Sequence, residues 1–262
     1  MDINKRLYFL HIPKTGGTSV SVQLHAAFVE NSITHYPPTP PPHNDNFNEY
    51  VFIQGHLGRY PIDKTDNLDV ACLLRDPLDR AISNFLFIYN KVISKSEVYS
   101  AIPEFIDKLK YYFFDDLGYI RHRNIQAQFI CNSPATNIFK DSISNSSTEY
   151  KIRSQAWGLQ EQEFTLEMAK AYLDKFAIVN TIENHEQFLQ DIKKWFLDNY
   201  SITIGEYTNN KMINTSLVTY NEVEYTTTVL KSMLSEEDIQ RFLELNSIDF
   251  ELYEHVYNKK KE

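Results

Sequence analysis

The chain has 262 residues, is 42% hydrophobic and sets 35 acidic against 26 basic side chains, a formal charge of −9. That length and apolar content suffice for one sizeable core and exclude collagen-like, fibrous and disordered classes. The acidic balance excludes a nucleic-acid coat or a broad polyanion-binding surface, because such partners leave an excess of Lys and Arg; any anion must be held by a local pocket.

One domain spanning residues 1–262 is expected. Asp2, Lys5 and Arg6 lie where a signal peptide needs its apolar region, and residues 7–12 are too short to supply it. No run approaches the roughly 20 apolar residues of a membrane span. Cys72 and Cys131 stand in apolar surroundings without zinc-site spacing, so they read as buried free thiols of a reducing compartment, and a cytoplasmic location is expected.

Short apolar segments at 6–12, 50–54, 70–74 and 176–181 read as buried strands, and the stretches between them carry helical periodicity. That alternation predicts an α/β domain with a mostly parallel sheet. The first strand runs directly into Pro13, Lys14, Thr15, Gly16, Gly17, Thr18 and Ser19, after which Val20, Leu24 and Ala27 mark a helix face. A strand, tight loop and helix in this order aim unpaired N–H groups and the positive helix end at one spot, and two glycines admit an anion close to the backbone. Lys14, Thr18 and Ser19 add donors. The lysine precedes the glycine pair, so the Walker order of nucleoside triphosphatases is not matched. An ordinary strand-to-helix turn with a surface lysine is the competing reading.

The prolines of residues 36–43 fix an extended loop. After the second strand comes Gln54-Gly55-His56, which places a histidine at the end of the sheet where the phosphate loop also emerges. A neutral histidine there suits proton abstraction from a hydroxyl; a turn histidine satisfied by backbone is the alternative. The third strand ends at Arg75, and Asp76, Pro77 and the stripe Leu78, Ile82, Phe85, Leu86 and Tyr89 supply the cap, first-turn proline and apolar face of a helix. Arg75 can clamp a phosphate bidentately and Ser83 can donate beside it, unless Arg75 and Arg80 merely pair with Asp76 or Asp79. Arg121, His122 and Arg123 form either a grip for an anionic sugar or a solvated turn. Further helices are expected over 103–110, 124–130, 165–175 and 185–199. Residues 141–149 read as an exposed polar loop, and from Ser235 onward the chain reads as helix, with Ser235 as its cap.

The segments 11–19 and 75–85 together resemble the 5′-phosphosulfate and 3′-phosphate motifs of the sulfotransferases related to heparan sulfate 2-O- and 6-O-sulfotransferases. Looser similarity continues at 124–131, at 176–179 before Glu183 and at 249–253. The resemblance implies a P-loop-like α/β fold and, as co-substrate, 3′-phosphoadenosine 5′-phosphosulfate. Lys14, Thr15, Gly16, Gly17, Thr18 and Ser19 would hold its 5′-phosphosulfate, and Arg75 and Ser83 its 3′-phosphate. His56 matches the Gly-His that supplies the base in the 2-O-sulfotransferases, although Gln54 stands where those carry a further histidine. Residues 211–216 match an adenosine-covering loop only roughly.

The expected reaction is sulfuryl transfer to a hydroxyl of a carbohydrate or glycoconjugate, with His56 as base, Lys14 on the leaving oxygen and no metal. A kinase-like phosphotransferase would need a magnesium-binding carboxylate at a strand end, where this chain has Arg75. A non-catalytic nucleotide-binding protein would leave His56 without a task.

Overall fold

Strand β1 (Arg6–Leu10) is buried along its whole length, and its alternate side chains enter two different cores. Leu7 and Phe9 face one side of the sheet and Tyr8 and Leu10 the other, which is why the run is continuously apolar: both faces are covered. The computed structural model describes residues 5–30, 35–36, 46–91, 93–116, 123–132, 164–205 and 217–259. β1 lies between β3 (Phe52–Gly55) and β4 (Leu68–Leu74), parallel to each. β5 (Ile178–Thr181) extends the four-stranded core beyond β4, and the two-residue β2 (His35–Tyr36) pairs with the far side of β3. The order β2-β3-β1-β4-β5 is parallel throughout.

Helix α1 (Gly17–Glu30) follows β1, and α2 (Pro77–Tyr89) follows β4. The short α3 (Glu97–Ser100) and α4 (Phe105–Phe114) come next, followed by α5 (Ile125–Cys131) and α6 (Leu166–Leu173). After β5 come α7 (His185–Tyr200), a hairpin of β6 (Val218–Tyr220) and β7 (Val223–Tyr225), and three helices: α8 (Thr227–Met233), α9 (Glu236–Leu245) and α10 (Ser247–Lys259).

The α1 residues Val20, Leu24 and Phe28 and the α7 residues Phe188, Ile192 and Phe196 pack on Leu7, Phe9, Ala71 and Leu73. On the opposite face, Ala127 and Ile130 of α5, Leu173 of α6 and Leu252 and Val256 of α10 meet Tyr8, Leu10, Cys72 and Leu74. A third cluster, rich in aromatic rings, joins α2, α4, α8 and α9. Both cysteines are buried and unpaired, and burial raises both thiol pKa values, that of Cys131 to about 12. No helix among the described residues is long and apolar enough to cross a membrane.

The Asp76 cap forms as expected, its carboxylate accepting from Asp79 N–H at 2.9 Å with Pro77 in the first turn. Ser235 and Asp238 close a reciprocal capping box on α9. The C-terminal helical stretch is interrupted at Asn246, whose Nδ2 bonds Phe242 O and whose Oδ1 accepts Asn124 N–H. The fourth core strand starts at Ile178 because Phe176 N–H still closes the preceding helix on Leu173 O.

The topology creates the site. After β1 the chain moves to β2 and β3 on one side; after β4 it moves to β5 on the other. The two outgoing loops therefore leave in opposite directions at the C-terminal ends of adjacent strands, the switch point at which open parallel sheets bind their ligands.

Candidate functional site

The turn leaving β1 stands at one side of this switch point. Ile12 and Pro13 are buried, and the fully buried Thr15 donates its hydroxyl to Ile12 O at 2.9 Å. That bond consumes the Thr15 proton, so of the donors expected there Thr15 can offer only its backbone. Lys14 takes a left-handed backbone at φ 71° and Gly16 one at φ 88°. The former is uncommon for a residue with a Cβ; it is held by the Thr15 clasp and by Arg75 Nη1, which donates to Lys14 O at 3.3 Å. Ser19 N–H closes on Gly16 O at 3.0 Å as α1 begins, and Thr18 is exposed at the opening turn. No acidic residue occupies that first turn, which leaves the positive helix end unneutralised from within.

Gly17 is required for a reason separate from anion approach. A Cβ there would stand 2.1 Å from Cδ2 of His11, whose ring occupies the space.

Arg75 stands at the other side, just after β4. Its N–H donates to Gln126 Oε1 at 3.0 Å, and Gln126 Nε2 donates to its carbonyl at 2.9 Å. Asp76 and Asp79, the expected competitors for its charge, are instead engaged by Lys231 of α8 at 3.6 and 2.7 Å. Among the described residues no carboxylate lies within ion-pair distance of Arg75, whose Nη1 is given to Lys14 O. Lys14 Nζ lies over the half-exposed Phe87 ring at 4.5 Å from the centroid, and Lys91 Nζ lies over the same ring at 3.8 Å. Burial, then Arg75 and Lys91, pull the Lys14 pKa down to about 8. Asp79, Asp76 and Glu183 act on Arg75 by charge, whereas Lys14 is crowded by the like charges of Arg75 and Lys91, which a bound anion would relieve. Ser83, 3% exposed on the inner side of α2, is almost closed off from solvent.

His56 follows β3 by one residue. The register pairs Leu10 with Gly55, so the residues after them, His11 and His56, are neighbours, with ring centroids 4.4 Å apart. His56 Nδ1 lies 2.6 Å from His11 O. A carbonyl only accepts, so Nδ1 carries the hydrogen and Nε2 of the neutral ring keeps its lone pair. Burial lowers the His56 pKa to about 4, opposed by the hydrogen bond to His11 O. The ring is therefore neutral near pH 7. His11 stacks on Phe9 at 5.4 Å and 10°, and its own pKa is pushed well down by burial, then by His56 and Lys14. It packs at the strand end.

The structure thus brings Lys14, Gly16, Gly17, Arg75 and His56 to one edge of the sheet. Arg121, His122 and residues 211–216 lie outside the described residues, as do residues 37–45, 141–149 and Trp157. Arg123 is described; its Nε is buried and unpartnered among the described residues, and its carbonyl accepts from Gln128 Nε2. His185, Phe87 and Lys91 carry no local motif that sequence reasoning could have used; Gln126 lies in the loosely similar segment 124–131, which gives no sign of its clasp on Arg75. His185 enters because α7 starts beside the loop: its Cδ2 would lie 3.7 Å from a Cβ on Gly16. Among the described residues no group of three or more His, Cys, Asp or Glu side chains is arranged to hold a metal ion. No family profile and no curated protein sequence matches the chain.

Proposed function

We propose that this protein is a sulfotransferase that moves the sulfuryl group of 3′-phosphoadenosine 5′-phosphosulfate to a hydroxyl of a carbohydrate or glycoconjugate. The observation that carries the reading is the meeting of two anion-binding elements at the switch point of a parallel sheet, marked by the bond from Arg75 Nη1 to Lys14 O. Two separated phosphate sites suit a donor that carries a 3′-phosphate as well as a 5′-phosphosulfate. The resemblance of residues 11–19 and 75–85 to the motifs of that enzyme class points the same way.

In this reading the turn from Lys14 to Ser19 is a P-loop-like cradle for the 5′-phosphosulfate, and Arg75 with Ser83 takes the 3′-phosphate. The acceptor oxygen forms a bond to sulfur as the bond from sulfur to the bridging oxygen breaks, and 3′-phosphoadenosine 5′-phosphate leaves. His56 Nε2 takes the acceptor proton. Lys14 offsets charge growing on the bridging oxygen, a stabilisation that exists mainly in the transition state. An incoming dianion raises the proton affinity of both Lys14 and His56, which tunes the base upward when the donor is present.

The test is incubation with donor carrying labelled sulfur and with fractionated glycans, glycolipids and small hydroxylated metabolites, in excess chelator. Label is expected in a carbohydrate-containing fraction. Transfer that requires added magnesium, or label from the γ-phosphate of ATP instead, would replace the reading with a kinase-like one. Tight donor binding with no labelled acceptor would favour a nucleotide-binding protein without catalysis.

A further inference from the structure

Arg75 stands one residue beyond the end of β4, where neither neighbouring strand pairs with it. Its backbone is closed by a side chain instead: the Gln126 carboxamide accepts from Arg75 N–H at 3.0 Å and donates to Arg75 C=O at 2.9 Å. This two-point clasp does the work of a missing strand partner.

Gln126 is itself fully buried and doubly anchored. Its own N–H donates to Asp249 Oδ2 at 3.0 Å, and Ala127 N–H donates to Asp249 Oδ1 at 2.8 Å. Asn124 returns the contact, its Oδ1 accepting Asp249 N–H at 3.1 Å, while Asn246 Oδ1 accepts Asn124 N–H at 3.1 Å. The starts of α5 and α10 thereby cap each other. A buried carboxamide costs more to desolvate than an apolar side chain of similar volume, which would fill the same space. What the carboxamide adds is direction for residue 75.

We infer that Gln126, seated by Asp249, is a positioning residue of the anion site: it fixes the backbone from which the Arg75 guanidinium reaches the Lys14 carbonyl. The identity of the anion rests on the function proposed above, whereas the clasp and its effect on Arg75 belong to the protein alone.

The test uses the full chain and Gln126→Met, which keeps length and volume but removes both clasp bonds. 3′-Phosphoadenosine 5′-phosphate and AMP, which lacks the 3′-phosphate, are titrated by calorimetry. The Arg75 Nε–H signal is followed in arginine-labelled protein and assigned with Arg75→Lys. Expected are about tenfold weaker binding of the bisphosphate, the scale of one or two lost hydrogen bonds, and less than about twofold for AMP. The Arg75 signal should shift and broaden. Should Gln126→Met fail to fold, Asp249→Asn, which loosens the seat of the same clasp, is read by the same two measurements. Equal weakening of both ligands, or an unchanged Arg75 signal in a folded variant, overturns the inference. Absence of bisphosphate binding to the unaltered protein instead overturns the donor assignment, and the Arg75 signal still decides the clasp.

Discussion

At the scale of single residues, the His56 ring is oriented by a carbonyl. Because His11 O accepts the Nδ1 hydrogen, the lone pair of the neutral His56 ring lies on Nε2. That a histidine ends the second core strand was legible from Gln54-Gly55-His56, but its partner was not, since the contact depends on the pairing of Leu10 with Gly55 across 45 residues. The glycine pair was legible too, though half of its cause was hidden: Gly17 makes room for the His11 ring. Burial also moves the expected pH dependence. With the His56 pKa near 4 in the free protein, kcat/KM measured at low donor should hold through pH 6.5 and fall only as the pH drops toward about 4. The limb in kcat should lie higher, because the bound donor favours the imidazolium. His56→Ala should lose both limbs and at least about 10²-fold in turnover, with donor affinity within about twofold of the unaltered protein. Near-normal turnover in the alanine variant would return His56 to a structural role, and a free-protein limb at the ordinary histidine value would mean that burial does not depress its pKa.

Among elements, legibility followed whether the signal is local. The capped starts of α2 and α9 lie within four residues of sequence, and Asp76 and Ser235 announced both. The β6–β7 hairpin gave no such notice. Its turn places Asn221 and Glu222 at φ 47° and 65°, a geometry usually marked by Asn-Gly, and glutamate disguises it. The mutual capping of α5 and α10 is equally invisible, because its partners are more than 120 residues apart. That capping has a titration signature. Asp249 is buried, and desolvation outweighs Arg80 and the two N–H bonds to raise its pKa to about 6, above the ordinary 3.8. The folded state thus holds this proton more tightly than the unfolded one, so the contribution of Asp249 to stability is full below about pH 4 and is lost as pH rises toward about 6. The loss is on the order of 3 kcal/mol for about two units. Comparing denaturant unfolding of the unaltered protein and Asp249→Asn at pH 4.5, 6 and 7.5 cancels the other groups. The stability gap should shift in favour of the asparagine variant as pH rises through that window. A gap that stays constant would mean that the carboxyl is not shifted.

For the molecule as a whole, a charge of −9 and an anion site are compatible only if cations are concentrated locally and the surrounding acids are occupied. Lys231 contributes to that second condition by pairing with Asp76 and Asp79, an arrangement that joins α8 to α2 across some 150 residues and has no trace in either local sequence. The parallel sheet itself was legible, because strands covered on both faces read as unbroken apolar runs. The order of those strands was not, and it is the order that brings the loops after β1 and β4 to one switch point of the sheet. A site assembled from both loops should link folding to a ligand that bridges them. At 100 times its dissociation constant a ligand specific for the folded state stabilises by about 2.7 kcal/mol, which for a chain of this size raises the melting temperature by roughly 5–10 °C. 3′-Phosphoadenosine 5′-phosphate should produce that rise, and ATP at equal concentration much less, since its three phosphates sit on one end of the nucleoside and leave Arg75 without a partner. Arg75→Ala should keep the fold, because the clasp holds only its backbone, and should abolish most of the difference between the two nucleotides. Equal stabilisation by both in the unaltered protein would mean that the site reads a phosphate chain rather than two separated phosphates, and the donor assignment would fall with it.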